Sequence, residues 1–155
     1  MHDVTYPETL AWVDERIARG GRHQICTVNA EFIIRAQHDP AFNRLLLNSD
    51  LNVPDGISMI WAARHGGHPL RERVTGSDLL PQLCARAAQR GWRVFFLGAA
   101  EGVADACAAR MQAIYPGLNV CCTFAGNAQP EGDAAALAHL AAARPNLLFV
   151  AYGAP

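Results

Sequence analysis

A chain of 155 residues with 51% hydrophobic and 17% charged side chains has the apolar surface for one ordinary domain core, and that composition excludes a disordered segment. Thirteen basic against 14 acidic side chains leave a net charge of −1 and no basic stripe, so no nucleic-acid partner is expected. Every basic residue is arginine, so any phosphate held by a side-chain cation must be held by a guanidinium fork.

Helical and strand patterns alternate along the chain. Thr5 to Glu8 reads as a capping box, and Leu10, Val13 and Ile17 then share a helical face that ends at Gly20-Gly21. His23 to Val28 reads as a strand, followed by a helix through Ile33 and Ile34. Asp39-Pro40 opens another helix carrying Phe42, Leu45 and Leu46. Asp50 to Val53 is a short strand that runs into Pro54-Asp55-Gly56. Thr75 and Asp78 form a second capping-box pattern ahead of Leu79, Leu80, Leu83 and Ala87.

Arg93 to Leu97 is the clearest strand, bounded by Gly91 and Gly98. The next helix is expected to bury Val103, Cys107, Met111 and Ile114. Leu118 to Thr123 is a strand, Asp133 to Ala143 an alanine-rich helix, and Leu147 to Tyr152 a last strand. This succession implies a parallel sheet covered by helices on both faces, an open, Rossmann-like α/β sandwich whose ligands sit at the carboxyl ends of the strands. Residues 1–155 are expected to form one domain. The last strand runs straight into Tyr152-Gly153-Ala154-Pro155, where a loop would supply ligand contacts, so the natural protein is expected to continue.

Cys26, Cys84, Cys107, Cys121 and Cys122 lack C-x-x-C spacing and read as buried thiols of a reducing compartment; on a strand, Cys121 and Cys122 are expected to face opposite ways. The N-terminus lacks the pattern of a signal peptide. Apolar stretches fall far short of the roughly 20 residues that span a bilayer, so a cytoplasmic location is expected.

The strand-end residues are the ones that can carry chemistry. Thr27 and Asn29 suit sugar hydroxyls and equally suit capping of the next helix. Asp55 suits a general base, and Pro-Asp-Gly is also a common turn in which Asp caps a helix. Arg71 and Arg73, flanking Glu72, suit a diphosphate or a solvated loop. Gly98 opens a strand–turn–helix with G-x-x-x-G spacing, whose amides can meet a phosphate or nucleotide edge; Phe124-Ala125-Gly126-Asn127 is a similar turn. His65 and His68 have no third ligand pattern, and no Asp-x-Asp pair exists, so no metal site is expected. A G-x-S-x-G element is likewise missing.

Taken in order, Thr27-Val28-Asn29, Asp50 to Gly56, Glu72 to Leu79, Phe95-Phe96-Leu97-Gly98, Tyr115-Pro116 and Val150 to Pro155 resemble the WecG/TagA/CpsF family of bacterial glycosyltransferases. The resemblance covers about residues 5 to 155. It implies an inverting, metal-independent enzyme that moves a sugar, often of N-acetylmannosamine type, from a UDP donor to a polyprenyl-diphosphate-linked acceptor sugar. It places the general base on Asp55 and substrate contacts on Thr27, Asn29 and Arg73, with backbone amides near Gly98 or Gly126 assisting the leaving UDP. No cofactor is expected beyond the UDP-sugar itself.

Two departures stand out. Family members follow the final Gly-x-Pro with a Lys-Gln-Glu stretch and a C-terminal appendage bearing arginines that meets the membrane surface; neither stands in these residues. An aromatic residue usually follows the glycine where Asn127 stands here. Self-association into a homo-oligomer is an open expectation, because a truncated core would expose apolar surface. Two rival readings stay open at the level of sequence. One is a dinucleotide-dependent oxidoreductase, which wants a G-x-G-x-x-G that is missing; the other is a non-catalytic binding fragment.

Overall fold

A computed structural model describes residues 1–153; Ala154 and Pro155, which close the last family motif, lie outside the described residues. The chain divides into two compact units, Met1–Leu79 and Leu80–Gly153, with the division falling inside one helix.

In the first unit, helix α1 (Tyr6–Arg19) starts on the expected capping box. Thr5 Oγ1 accepts from the Glu8 amide, and the Glu8 carboxylate accepts from the Thr5 amide at 2.8 Å. Strands β1 (Ile25–Val28) and β2 (Leu51–Pro54) pair in parallel, in register from Ile25 opposite Leu51 to Val28 opposite Pro54. A parallel pair needs a long crossover, supplied by α2 (Ala30–His38) and α3 (Pro40–Asn48). Asp39 ends the first of these helices and caps the second, its carboxylate accepting from the amides of Ala41 and Phe42. Cys26, Val28, Phe42 and Leu46 form the core beneath them, with Phe32 edge-on to Phe42 at 5.2 Å.

A further helix, α4 (Ile57–His65), follows β2; sequence reading leaves this segment without an element. Its N-cap is Gly56 (φ 123°), which offers no side-chain acceptor, so no start signal marks it. Helix α5 (Gly76–Arg90) begins where Thr75 predicts, but the second box is altered. Thr75 Oγ1 accepts from the Asp78 amide, whereas the Asp78 carboxylate takes the Thr75 hydroxyl rather than its amide. That amide donates instead to the Tyr6 hydroxyl at 2.8 Å.

In the second unit, β3 (Arg93–Gly98) lies between β4 (Asn119–Phe124) and β5 (Leu147–Ala151), all parallel, with buried Val94, Phe95 and Phe96 in the central strand. The connection from β3 to β4 steps one way across the sheet and that from β4 to β5 steps back past β3. Right-handed crossovers therefore put α6 (Val103–Ile114) and α7 (Pro130–Ala143) on opposite faces, the layered α/β arrangement the sequence implies.

The expected apolar stripe of α6 holds at Met111 and Cys107 and is corrected at Val103 and Ile114. Ala104, Ala108 and Met111 are buried, while Val103 and Ile114 are each 49% exposed. Small alanines let the helix backbone approach the sheet, which turns the larger aliphatics outward. Helix α7 starts at Pro130 rather than Asp133, using proline's preset φ in its first turn.

The cysteine expectation holds in part. All five thiols are free, but only Cys26 and Cys84 are buried; Cys107, Cys121 and Cys122 are half-buried. Val94 pairs with Val120 and Phe95 with Cys122, so Cys121 is the extra residue of a β-bulge, and simple face alternation does not hold there. Among the described residues, no helix is long and apolar enough to cross a membrane.

Candidate active site

The first unit gathers Thr27, Asp55 and the Thr75-Gly76 step. Asp55 stands directly after β2 and is half-buried. It does not cap α4. Its carboxylate turns away and accepts from the Gly76 amide at 3.0 Å. Its own amide donates to the Val28 carbonyl (2.8 Å), and the Val74 amide donates to the Pro54 carbonyl (2.9 Å), so the β1, β2 and 73–76 backbones are stitched together around it. Gly76 faces Thr27 closely: a Cβ there would stand 3.4 Å from Thr27 Oγ1 and 3.7 Å from the Asp55 carboxylate. A carboxylate so placed has one oxygen held by an amide and is only partly shielded from solvent.

Asn29 divides its side chain. Its Oδ1 is the cap of α2, accepting from the Phe32 amide at 2.9 Å, which leaves its NH2 as the group able to donate to a ligand. Arg71 and Arg73 separate in role. Arg71 donates to both Asp3 and Glu8, with bonds of 2.7–3.0 Å, and is a clamp on the N-terminal segment. Glu8 is held below the usual carboxylate range, chiefly by this guanidinium and then by the Thr5 amide. Arg73 is half-exposed, makes a 3.9 Å contact to Asp78 among the described residues, and is the cation of this loop with the looser tie.

The second unit carries Gly98 and Gly126 at the ends of β3 and β4. Gly98 (φ 102°) admits no side chain, because a Cβ would stand 2.9 Å from the Ala151 carbonyl where β5 runs alongside. Gly126 (φ 58°) is pressed by the Tyr152 hydroxyl, which is buried with no hydrogen-bond partner among the described residues. Gly98 is thus demanded by the β5 backbone, whereas at Gly126 the crowding comes from the Tyr152 and Phe124 side chains. Between the β3–α6 turn and the end of β4 lies a cleft of about 540 Å³ that includes Gly102, Asp105, Thr123 and Gly126. The Thr123 hydroxyl donates to Asp105 Oδ1. His65, at the end of α4, has Nδ1 2.9 Å from the Trp61 carbonyl, and no group of three or more metal-ligating side chains occurs among the described residues.

Sequence reading misses three participants: the Gly76 amide, Asp105 and Tyr152. Gly76 is visible only as part of a cap, and Asp105 reads as an ordinary acid in a helical first turn. Nothing in the spacing shows that either side of a turn will face a strand end.

Parallel strands whose carboxyl ends carry hydroxyl, carboxylate and glycine-lined loops define a ligand-handling α/β protein of the Rossmann-like class. The chain belongs to the glycosyl transferase WecG/TagA/CpsF family, whose family model matches residues 1–155. A relative in Bacillus spizizenii is 33% identical over 131 residues, 84% of this chain and 50% of its own length. Another in Bacillus subtilis is 28% identical over 144 residues, 93% of this chain and 54% of its own. Both are named N-acetylglucosaminyldiphosphoundecaprenol N-acetyl-beta-D-mannosaminyltransferase. The chain spans about half the length of these curated relatives.

Proposed function

We propose that this chain carries the chemistry of an inverting glycosyltransferase, moving an N-acetylmannosamine-type sugar from UDP to a polyprenyl-diphosphate-linked acceptor sugar. The observation that carries this is the Asp55 carboxylate: released from helix capping, held by the Gly76 amide and set beside Thr27. In the step proposed, the acceptor hydroxyl oxygen attacks the anomeric carbon as Asp55 takes its proton, and the bond to UDP breaks with inversion. Arg73 meets the charge of the departing diphosphate, while Thr27 and the Asn29 NH2 bind sugar hydroxyls. The names of the two relatives support the transferred sugar and the lipid-linked acceptor. The oxidoreductase reading has neither those names nor a dinucleotide motif behind it.

An acceptor anchored in a bilayer brings the protein to the cytoplasmic membrane surface, and a homo-oligomer is compatible with that placement. The reaction is proposed to run without a metal or cofactor, so turnover is expected to survive EDTA. The direct test is Asp55→Ala, assayed with UDP-N-acetylmannosamine and a polyprenyl-diphosphate N-acetylglucosamine acceptor. A general base contributes about 10²- to 10⁴-fold, so the rate is expected to fall by that factor with circular dichroism unchanged. Near-normal turnover removes Asp55 from the mechanism.

A further inference from the structure

Helix α4 inverts the usual pattern of a surface helix, which buries its apolar stripe and shows water its polar face. Spacings of four and three put Ile57, Trp61 and Arg64 on one side of it, with His65 next to them. That side faces outward: Ile57 is 63% and Trp61 65% exposed, and Arg64 and His65 are exposed as well. Met59, Ile60 and Ala63, on the other side, are half-buried, and no residue of the helix is fully buried.

An isoleucine and an indole side by side in water gain free energy from any apolar medium that covers them. The boundary between water and hydrocarbon suits tryptophan in particular, because the ring is buried there while its N–H stays wet. Charge points to the same surroundings. No acidic side chain stands between Gly56 and Arg71, and among the described residues no hydrogen bond or ion pair engages the Arg64 guanidinium. The other exposed apolar patch of this unit, Ile33 and Ile34 on α2 with Leu47 on α3, has Glu31 in the first turn of α2 and Asp39 between the helices. An anionic surface therefore matches α4 and not that patch. Position adds a third argument, since Ile57 stands two residues after Asp55. An acceptor sugar tied to a polyprenyl chain stays at the bilayer, so the carboxylate that meets its hydroxyl must work close to lipid.

We propose that the outer face of α4 docks on an anionic lipid bilayer. Ile57 and Trp61 enter the boundary between headgroups and acyl chains, and Arg64 lies against headgroup phosphates. The proposal rests on the reading of the acceptor as lipid-linked and goes beyond it by naming the surface that meets the membrane.

Cosedimentation of the whole chain with phosphatidylcholine vesicles, with and without phosphatidylglycerol and free of polyprenyl lipid, tests it. The unaltered chain is expected to bind the anionic vesicles, and bromine-labelled acyl chains are expected to quench its tryptophan emission, a readout that needs no substitution. The pair Ile57→Ser and Trp61→Ser is expected to weaken binding about tenfold or more, with circular dichroism unchanged. Arg64→Gln is expected to cost about fivefold on anionic vesicles and nothing on neutral ones. Leu47→Ser, which removes a side chain 74% exposed on the other patch, is expected to leave binding unchanged. Absence of binding and quenching with the unaltered chain overturns the proposal, as does binding that survives the loss of Ile57 and Trp61 or falls equally with Leu47→Ser. Binding only to vesicles that carry a polyprenyl diphosphate assigns the face to the acceptor's own tail and also overturns it. Self-association without lipid that Trp61→Ser abolishes assigns the face to a second copy of the chain, with the same consequence. Transfer to a short-chain acceptor without vesicle binding sinks this inference alone, whereas vesicle binding without transfer to any polyprenyl-linked acceptor sinks the function reading alone.

Discussion

Asp55 and Asn29 stand in like places, each directly past the carboxyl end of a parallel strand, yet their acceptor oxygens do different work. Asn29 Oδ1 closes α2, and Asp55 leaves the start of α4 to a glycine and turns toward Gly76. The residue types at these ends were legible in the sequence, because strand-end loops of parallel sheets are where ligands bind. Their division of labour was not, since the partner of Asp55 lies 21 positions away along the chain. The two arginines make the same point and can be separated by experiment. Arg71 is bound on two sides by Asp3 and Glu8, so Arg71→Ala is expected to lower the urea midpoint while leaving UDP affinity unchanged. Arg73→Ala is expected to do the reverse. An exposed pair at 3.9 Å is worth about 0–1 kcal/mol, so the midpoint barely moves, while UDP affinity falls about tenfold or more.

At the scale of elements, α1 holds the segment 71–78 through Tyr6 as well as through the Glu8–Arg71 pair. The Tyr6 amide donates to Glu72, and its hydroxyl accepts from the Thr75 amide and reaches Asp78 at 3.3 Å. The next amide along, that of Gly76, is the one bonded to Asp55. Tyr6→Phe removes the acceptor for an amide belonging to a residue only 4% exposed. Leaving such a donor unpaired costs about 1–3 kcal/mol, a loss readable in urea unfolding followed by tryptophan fluorescence. Helices with a polar cap were readable: α1 from Thr5 and Glu8, α3 from Asp39. The helix after Gly56 was not, because a glycine cap leaves no mark that distinguishes it from a turn. The buried face of α6 was misread because hydropathy ranks Val103 and Ile114 above the alanines that actually let the helix close on the sheet.

For the whole molecule, acidic and thiol groups bound the stable pH range from opposite sides. Asp50 is held below the usual carboxylate range, first by the Gln24 amide and then by His23, and Glu8 by Arg71. A depressed carboxyl contributes stability that is present above its ordinary value, 3.8 for Asp50 and 4.5 for Glu8, and is lost as pH falls through its lower folded value. The thiols work the other way. Burial pushes Cys26 and Cys107 up, and Cys84 from 9.0 up to about 12, with Cys107 adding to the effect on Cys84. A raised thiol contributes stability that is complete below its ordinary value of 9.0 and is lost as pH rises from there toward the folded value. Urea unfolding across pH is therefore expected to show a plateau from about pH 5 to pH 9, bounded by these two sets of groups. Cys84→Ala separates the alkaline edge from general charge repulsion: it is expected to flatten the decline above pH 9 while leaving the acid edge in place. An alkaline edge of unchanged steepness in that variant would mean that groups other than this buried thiol set it.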